Sequence, residues 1–286
     1  MNRFYIQTLI LGTIMIIVPG ICFAWEYSRG PQLTVDTAKY KLTYQVLVVR
    51  DTAFRDNVKS AYIVTLIGNR TSKSVDRCIL ESSILADSLI AKKLDGQTIS
   101  DEVYKVYSKR FFKEQVIMDY PQKGINLFQT AIAADYFRVY DDDCKQDWYL
   151  MDETKDILGY ECRKAVCDFR GRSYEAWYTE DVPISTGPYY FRFLPGLIVE
   201  LYDTEHDYTF SLVGLEKVEY IIPIEMYNSK SVEVTNRADL RYIEDYYSQD
   251  AGAVILSSPL GSQIELTPEL LERINRRRPY NPIEKE

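Results

Sequence analysis

The chain has a single histidine among its 286 residues, His206. One imidazole excludes every site that needs two, so zincin helices, His-rich metal clusters and di-iron Glu-x-x-His bundles are ruled out. Gly-x-Ser-x-Gly, Ser-x-x-Lys, the Walker loop and Gly-x-Gly-x-x-Gly are also absent. Their absence removes nucleophile-elbow hydrolases, β-lactamase-type serine chemistry and the common nucleotide-binding frames. No Cys-x-x-Cys occurs, so a thioredoxin-type redox pair is excluded. Positive charge is in deficit: 34 Lys and Arg face 42 Asp and Glu, a net charge of -8. That balance argues against nucleic acid and anionic lipid headgroups as partners. The local exception, Arg276-Arg277-Arg278, lies among Glu269, Glu272 and Glu284 and reads as a helix end.

What the chain does contain is 46% hydrophobic and 13% aromatic residues, 24 of them tyrosine, the profile of an ordered globular protein. Residues 1–24 combine Arg3, an apolar run over 4–18, a Pro19-Gly20 break and Cys22-Phe23-Ala24. This is the layout of a secretory signal peptide cut after Ala24, and the apolar run is short for a membrane span. Ile21 stands where a lipobox wants Gly or Ala, so Cys22 is not read as a lipid attachment site. The expected location is the periplasm or cell envelope, with residues 25–286 as one β-rich domain and no transmembrane segment after cleavage. Cys78, Cys144, Cys162 and Cys167 remain as disulfide candidates, and four cysteines allow three connectivities. Cys162 and Cys167 are five apart, which places them on opposite faces of a continuous strand.

Residues 25–36 show little periodicity and read as a leader arm. Alternation over 40–50 and β-branched residues over 61–67 predict a pair of strands joined as a hairpin. Helical spacing of Ile79, Leu80, Ile84, Leu85 and Leu89, with Asp76 as cap, predicts a helix over 78–94. Short aromatic runs over 104–140 predict an antiparallel meander. Asp141-Asp142-Asp143 lacks the rest of a calcium loop and reads as a solvated turn. Strands are predicted over 160–169, 172–179, 196–202 and 207–218, the last two as facing rows of one hairpin. Residues 231–247 have partial helical spacing, and Thr267-Pro268 opens a short helix. No repeat or linker divides the chain. The expected fold is mainly β (α+β): a single antiparallel, curved sheet or half-barrel with a few peripheral helices.

Residues 148–203 carry an ordered series of motifs. Gly159-Tyr160, Cys162 and Lys164-Ala165 are followed by Gly171-Arg172, Ala176-Trp177-Tyr178, Pro183-Ile184 and Gly187-Pro188-Tyr189. The series ends in Phe193-Leu194-Pro195-Gly196-Leu197-Ile198. It resembles the GLPGLI family of exported Bacteroidota proteins, with Phe193 in place of the first Gly of the hexapeptide. Asn281-Pro282-Ile283-Glu284 resembles that family's closing motif. The resemblance implies an exported protein of unknown function and supplies no catalytic residues. Gly before Leu-Pro can serve a positive φ or a close backbone approach, so Phe193 implies either an ordinary position or a shifted turn.

A cysteine or serine nucleophile would have to use His206 as base, yet that residue lies in the polar turn Asp203-Thr204-Glu205-His206-Asp207. The aromatic concentration around Arg172, Trp177, Tyr178, Tyr189, Phe191 and Arg192 is the candidate site. Amphipathic rings there could line a groove for an apolar or glycan ligand, although aromatics are equally natural strand residues. Neither metal nor cofactor is expected. The expected function is a non-enzymatic envelope protein that binds an apolar small molecule or another envelope protein. The alternative is a periplasmic hydrolase using carboxylates, whose pair would come from distant parts of the fold.

Overall fold

The structure, a computed structural model, describes residues 32–133, 135–141, 144–228, 232–258, 267–275 and 279–285. The segment read as a signal peptide, with Cys22, and the basic cluster at 276–278 lie outside the described residues.

The alternation over 40–50 becomes β2 (Tyr40–Val49), which turns Leu42, Tyr44, Val46 and Val48 into the interior. It pairs antiparallel with β3 (Val58–Ile67), from Tyr40 opposite Ile67 to Val49 opposite Val58. The meander continues through β4 (Ser72–Asp76), β5 (Gln115–Met118), β6 (Asn126–Ile132) and β7 (Asp135–Asp141). On the other side of β2 stand β12 (Tyr208–Lys217), β11 (Leu197–Asp203), β10 (Arg172–Thr179), β9 (Tyr160–Phe169) and β8 (Tyr149–Ile157). The predicted hairpin of 196–202 with 207–218 is the β11–β12 pair.

The expected single antiparallel sheet or half-barrel is corrected. Twelve strands form one mixed sheet, because β14 (Glu233–Thr235) adds parallel to β7 at its edge. A separate two-stranded ribbon joins β1 (Gln32–Thr37) to β13 (Pro223–Tyr227), so part of the supposed leader arm is a strand. The physical reason lies in β3, β5 and β6, which bury apolar side chains on both faces: Val64, Leu66, Ile117 and Leu127 on the outer side need a second layer. Ile224 and Met226 of the ribbon supply it.

Helix α1 (Arg77–Ala91) starts where predicted, with the Asp76 carboxylate accepting from the Cys78 amide. Helix α2 (Gly96–Tyr107) corrects the strand expected from Tyr104 onward. Asp95 caps it, and Ile99, Val103 and Tyr107 recur at four-residue spacing on one buried face. Helices α3 (Arg237–Gln249), α4 (Ala251–Ser257) and α5 (Pro268–Ile274) follow, the last capped by Thr267.

The loop between β10 and β11 delivers Tyr189, Tyr190 and Phe191 to the inner face of the sheet. Tyr190 meets Phe128 of β6 at 5.9 Å and Phe169 of β9 at 5.8 Å, so the two halves of the sheet converge on one ring. Phe193 holds a φ of 74°, so the position where the resembled motif carries Gly has the left-handed backbone here. A residue with a Cβ pays about 1–2 kcal/mol there. Phe193→Gly is therefore expected to keep stability within about 1 kcal/mol of the wild type or raise it. Urea unfolding measures this, and a loss well beyond that range would show that the exposed ring packs more firmly than its position indicates.

Candidate functional site

The Asp76 carboxylate that caps α1 also accepts from the amides of Phe111 at 2.8 Å and Phe112 at 3.0 Å. This fixes residues 111–114 as one wall of a cleft of about 520 Å³. Ile63, Thr130, Tyr189 and Tyr208 form its floor, Arg241, Glu244 and Tyr247 of α3 its second wall, and residues 279–283 its rim. Arg50, Arg110 and Lys113 also line it.

The rim is a strap sewn onto the sheet's inner face. Asn281 Nδ2 donates to the Val49 carbonyl at 2.7 Å, and the Tyr208 hydroxyl donates to the Asn281 carbonyl at 2.6 Å. Tyr174 donates to the Ile283 carbonyl, and the Lys285 amide donates to the Arg170 carbonyl. Arg172 joins the strap to the β11–β12 turn. Its Nη1 donates to Asp203 at 2.8 Å and Asp207 at 2.9 Å, and its Nη2 donates to Asn281 Oδ1 and the Pro282 carbonyl, both at 2.7 Å.

Glu284 ends the strap inside a buried charge cluster. It pairs with Arg170 at 2.9 Å and with Arg237 and Arg241, while Arg170 also binds Asp141 at 2.5 Å. Glu114 pairs with Arg237 at 3.2 Å and Arg241 at 3.5 Å, and Glu244 with Arg241. Burial would raise the Glu284 carboxyl, but Arg237, Arg241 and Arg170 hold it down to about 2. Burial raises Glu114, because the same two helix arginines only partly offset the loss of water.

The sequence-predicted site residues are all placed, and all are largely buried. Trp177 lies under the Lys155 ammonium at 4.2 Å, and Tyr178 and Phe191 are core side chains. Arg192 donates to Asp119 at 2.5 Å and to Asn126. Arg172 serves the strap, and Tyr189 is the member of the set that lines the cleft. Sequence reasoning missed Glu114, Arg237, Arg241 and Glu284, whose signal was only the resembled closing motif at 281–284.

Other chemistry is limited by what surrounds it. The four cysteines are free, and burial pushes Cys144 and Cys167 up to about 12 and Cys162 to about 11. They are thiols at neutral pH and poor nucleophiles. Asp203, Glu205 and Asp207 place oxygens within 4.8 Å of one another. Arg172 and Arg55 already supply cations to the two aspartates. Asp141, expected in a solvated turn, is buried against Arg170. His206 is exposed at a turn and stacks on Tyr202 at 4.7 Å.

A twelve-stranded mixed sheet whose inner face borders an aromatic, charge-lined cleft defines a β-rich architecture. The family model described as "N-glycanase peptide, N-terminal domain" matches residues 91–242, more than half of the chain, and the chain belongs to that family. Among solved structures, PNGF-II in the C2 space group is similar over 73% of this chain and 32% of its own, at 17% identity and a TM-score of 0.45. PNGF-II in the P21 space group is similar over 73% and 33%, at 15% identity and a TM-score of 0.44. The chain thus spans about a third of the length of these structures. No curated protein matches it.

Proposed function

We propose that this chain is an exported, non-enzymatic binding module of the cell envelope, and that the cleft captures a glycan. The observation that carries the reading is the cleft lining, in which Phe111, Phe112, Tyr189, Tyr208, Tyr247 and Tyr280 stand beside Arg50, Arg110, Glu244 and Asn281. Sugar recognition uses ring faces for the C–H surfaces and planar polar groups for the hydroxyls. The family name supports the same ligand class, since an N-glycanase acts on glycosylated substrates. The signal-peptide pattern and the resemblance to exported Bacteroidota proteins support the location. Among the described residues no helix is long and apolar enough to cross a membrane.

One observation favours a second reading, carboxylate-dependent hydrolysis: Glu114 and Glu244 both line the cleft and both meet Arg241. The shared guanidinium occupies the space between them, where a retaining or inverting pair would need the scissile bond. Binding to a glycan array, followed by mass spectrometry of the bound sugars, separates the two. Capture of intact sugars, weakened about tenfold by Tyr247→Ala, supports the binding module. Shortened products that disappear in Glu114→Gln would establish the hydrolase.

A further inference from the structure

Three cations at the cleft have no carboxylate partner among the described residues. Arg50 lies 5.4 Å over the Phe111 ring, Arg110 3.7 Å over Tyr107, and Lys113 5.2 Å over Tyr247. All three belong to the cleft lining. By contrast Arg170, Arg172, Arg192, Arg237 and Arg241 are each ion-paired. A ring face braces a cation without neutralising it, and although Arg110 Nη1 donates to the Tyr107 carbonyl at 3.1 Å, that bond leaves its charge uncompensated. The Arg110 Nε is buried without a hydrogen-bond acceptor.

The cleft acids do not cancel this charge. Arg170, Arg237 and Arg241 are shared by Glu114, Glu244, Glu284 and Asp141, which leaves one carboxylate in excess against the three cations. A chain with a net charge of -8 therefore presents a locally positive cleft. Such a field draws an anion toward it and repels cationic ligands. The rings between the cations require that the anion also carry flat, partly apolar surface. A sugar chain with carboxylates on its rings meets both demands, and its hydroxyls can donate to Glu244, which a fully anionic polymer could not do.

We propose that the cleft selects an acidic oligosaccharide, with Arg50, Arg110 and Lys113 as partners for its carboxylates. This rests on the glycan-binding reading and names the class of glycan. The test is isothermal titration of the chain with a galacturonate oligomer, with the same oligomer after reduction of its carboxyls to neutral galactose, and with a glutamate oligopeptide. Expected is clear preference for the galacturonate oligomer, affinity that falls as salt rises, and a loss of about tenfold in the triple variant Arg50→Gln, Arg110→Gln, Lys113→Gln. Circular dichroism checks that the variant is folded. Equal binding of the neutral oligomer would overturn the acidic preference and leave the glycan reading standing. Binding of the glutamate oligopeptide as tightly as the sugar, or an unaffected triple variant that remains folded, would also overturn it. Heat from neither sugar would overturn both readings.

Discussion

Glu284→Gln is expected to lower the free energy of unfolding at neutral pH by about 3 kcal/mol. The carboxylate meets Arg170, Arg237 and Arg241 and is itself only 2% exposed. Its removal leaves Asp141, Glu114 and Glu244 to neutralise three arginines, so the loss is that of one partner in a buried network rather than of the whole network. The pH dependence has a definite sign. The folded carboxyl sits at about 2, below the ordinary 4.5. Its stabilisation is therefore fully present above about pH 4.5 and is lost as the pH falls toward 2. Glu114 acts the other way: its raised pKa means that the fold gains as the pH falls from that value toward 4.5. Urea midpoints measured from pH 7 down to pH 2 check this. The wild type and Glu284→Gln should differ at pH 7 and converge at the acid end. Curves that coincide at pH 7 would show that the strap is held by its hydrogen bonds alone.

Gly196→Ala is expected to be still more damaging, with little folded protein recovered. A methyl group at this position would lie 1.9 Å from the Thr179 carbonyl oxygen and 2.7 Å from its carbon. Those are backbone atoms of β10, so relief requires the start of β11 to move away from its neighbour. That movement would break the Thr179–Leu197 register and withdraw Leu197 and Ile198, both fully buried, from the core. Overpacking that only side chains must absorb costs about 1–3 kcal/mol, and a backbone clash costs more. Expression yield and near-ultraviolet circular dichroism read the result. A natively folded Gly196→Ala chain would show that the two strands can separate locally without loss of the core. The contrast with Phe193→Gly is informative, because the two substitutions lie three residues apart in the same motif and act through different physics.

Much of the sheet was legible because its strands alternate. The β2–β3 and β11–β12 hairpins follow from rows of apolar residues two apart, and α1 from apolar residues three and four apart behind an Asp cap. β8 was not legible: its run YLMDETKDI lies at the sheet edge with most side chains in water, so no alternation is imposed on it. α2 was obscured by two tyrosines and a valine, which read as strand until the Asp95 cap and the buried Ile99, Val103 and Tyr107 are considered together. The candidate site was less visible still. Glu114, the α3 pair Arg237 and Arg241, and Glu284 come from three separate stretches of chain, and apart from the closing motif around Glu284 nothing in their local sequence distinguishes them from solvated charges. Tyr189 was reached through its motif, while Arg172 and Arg192 were singled out for lying beside aromatics and prove to be partners of aspartates.

The strap has a kinetic consequence. Asn281 bonds to Val49 across 232 positions of chain, and β2 pairs with the distant β12, with Val48 opposite Tyr208. Contacts so remote return nothing until a very long loop has closed, so the ordering of the cleft belongs to the slow, late part of folding. Until then the aromatic rings and unpaired arginines of its walls are exposed, which makes the interval before closure the one in which this chain is most prone to associate with itself.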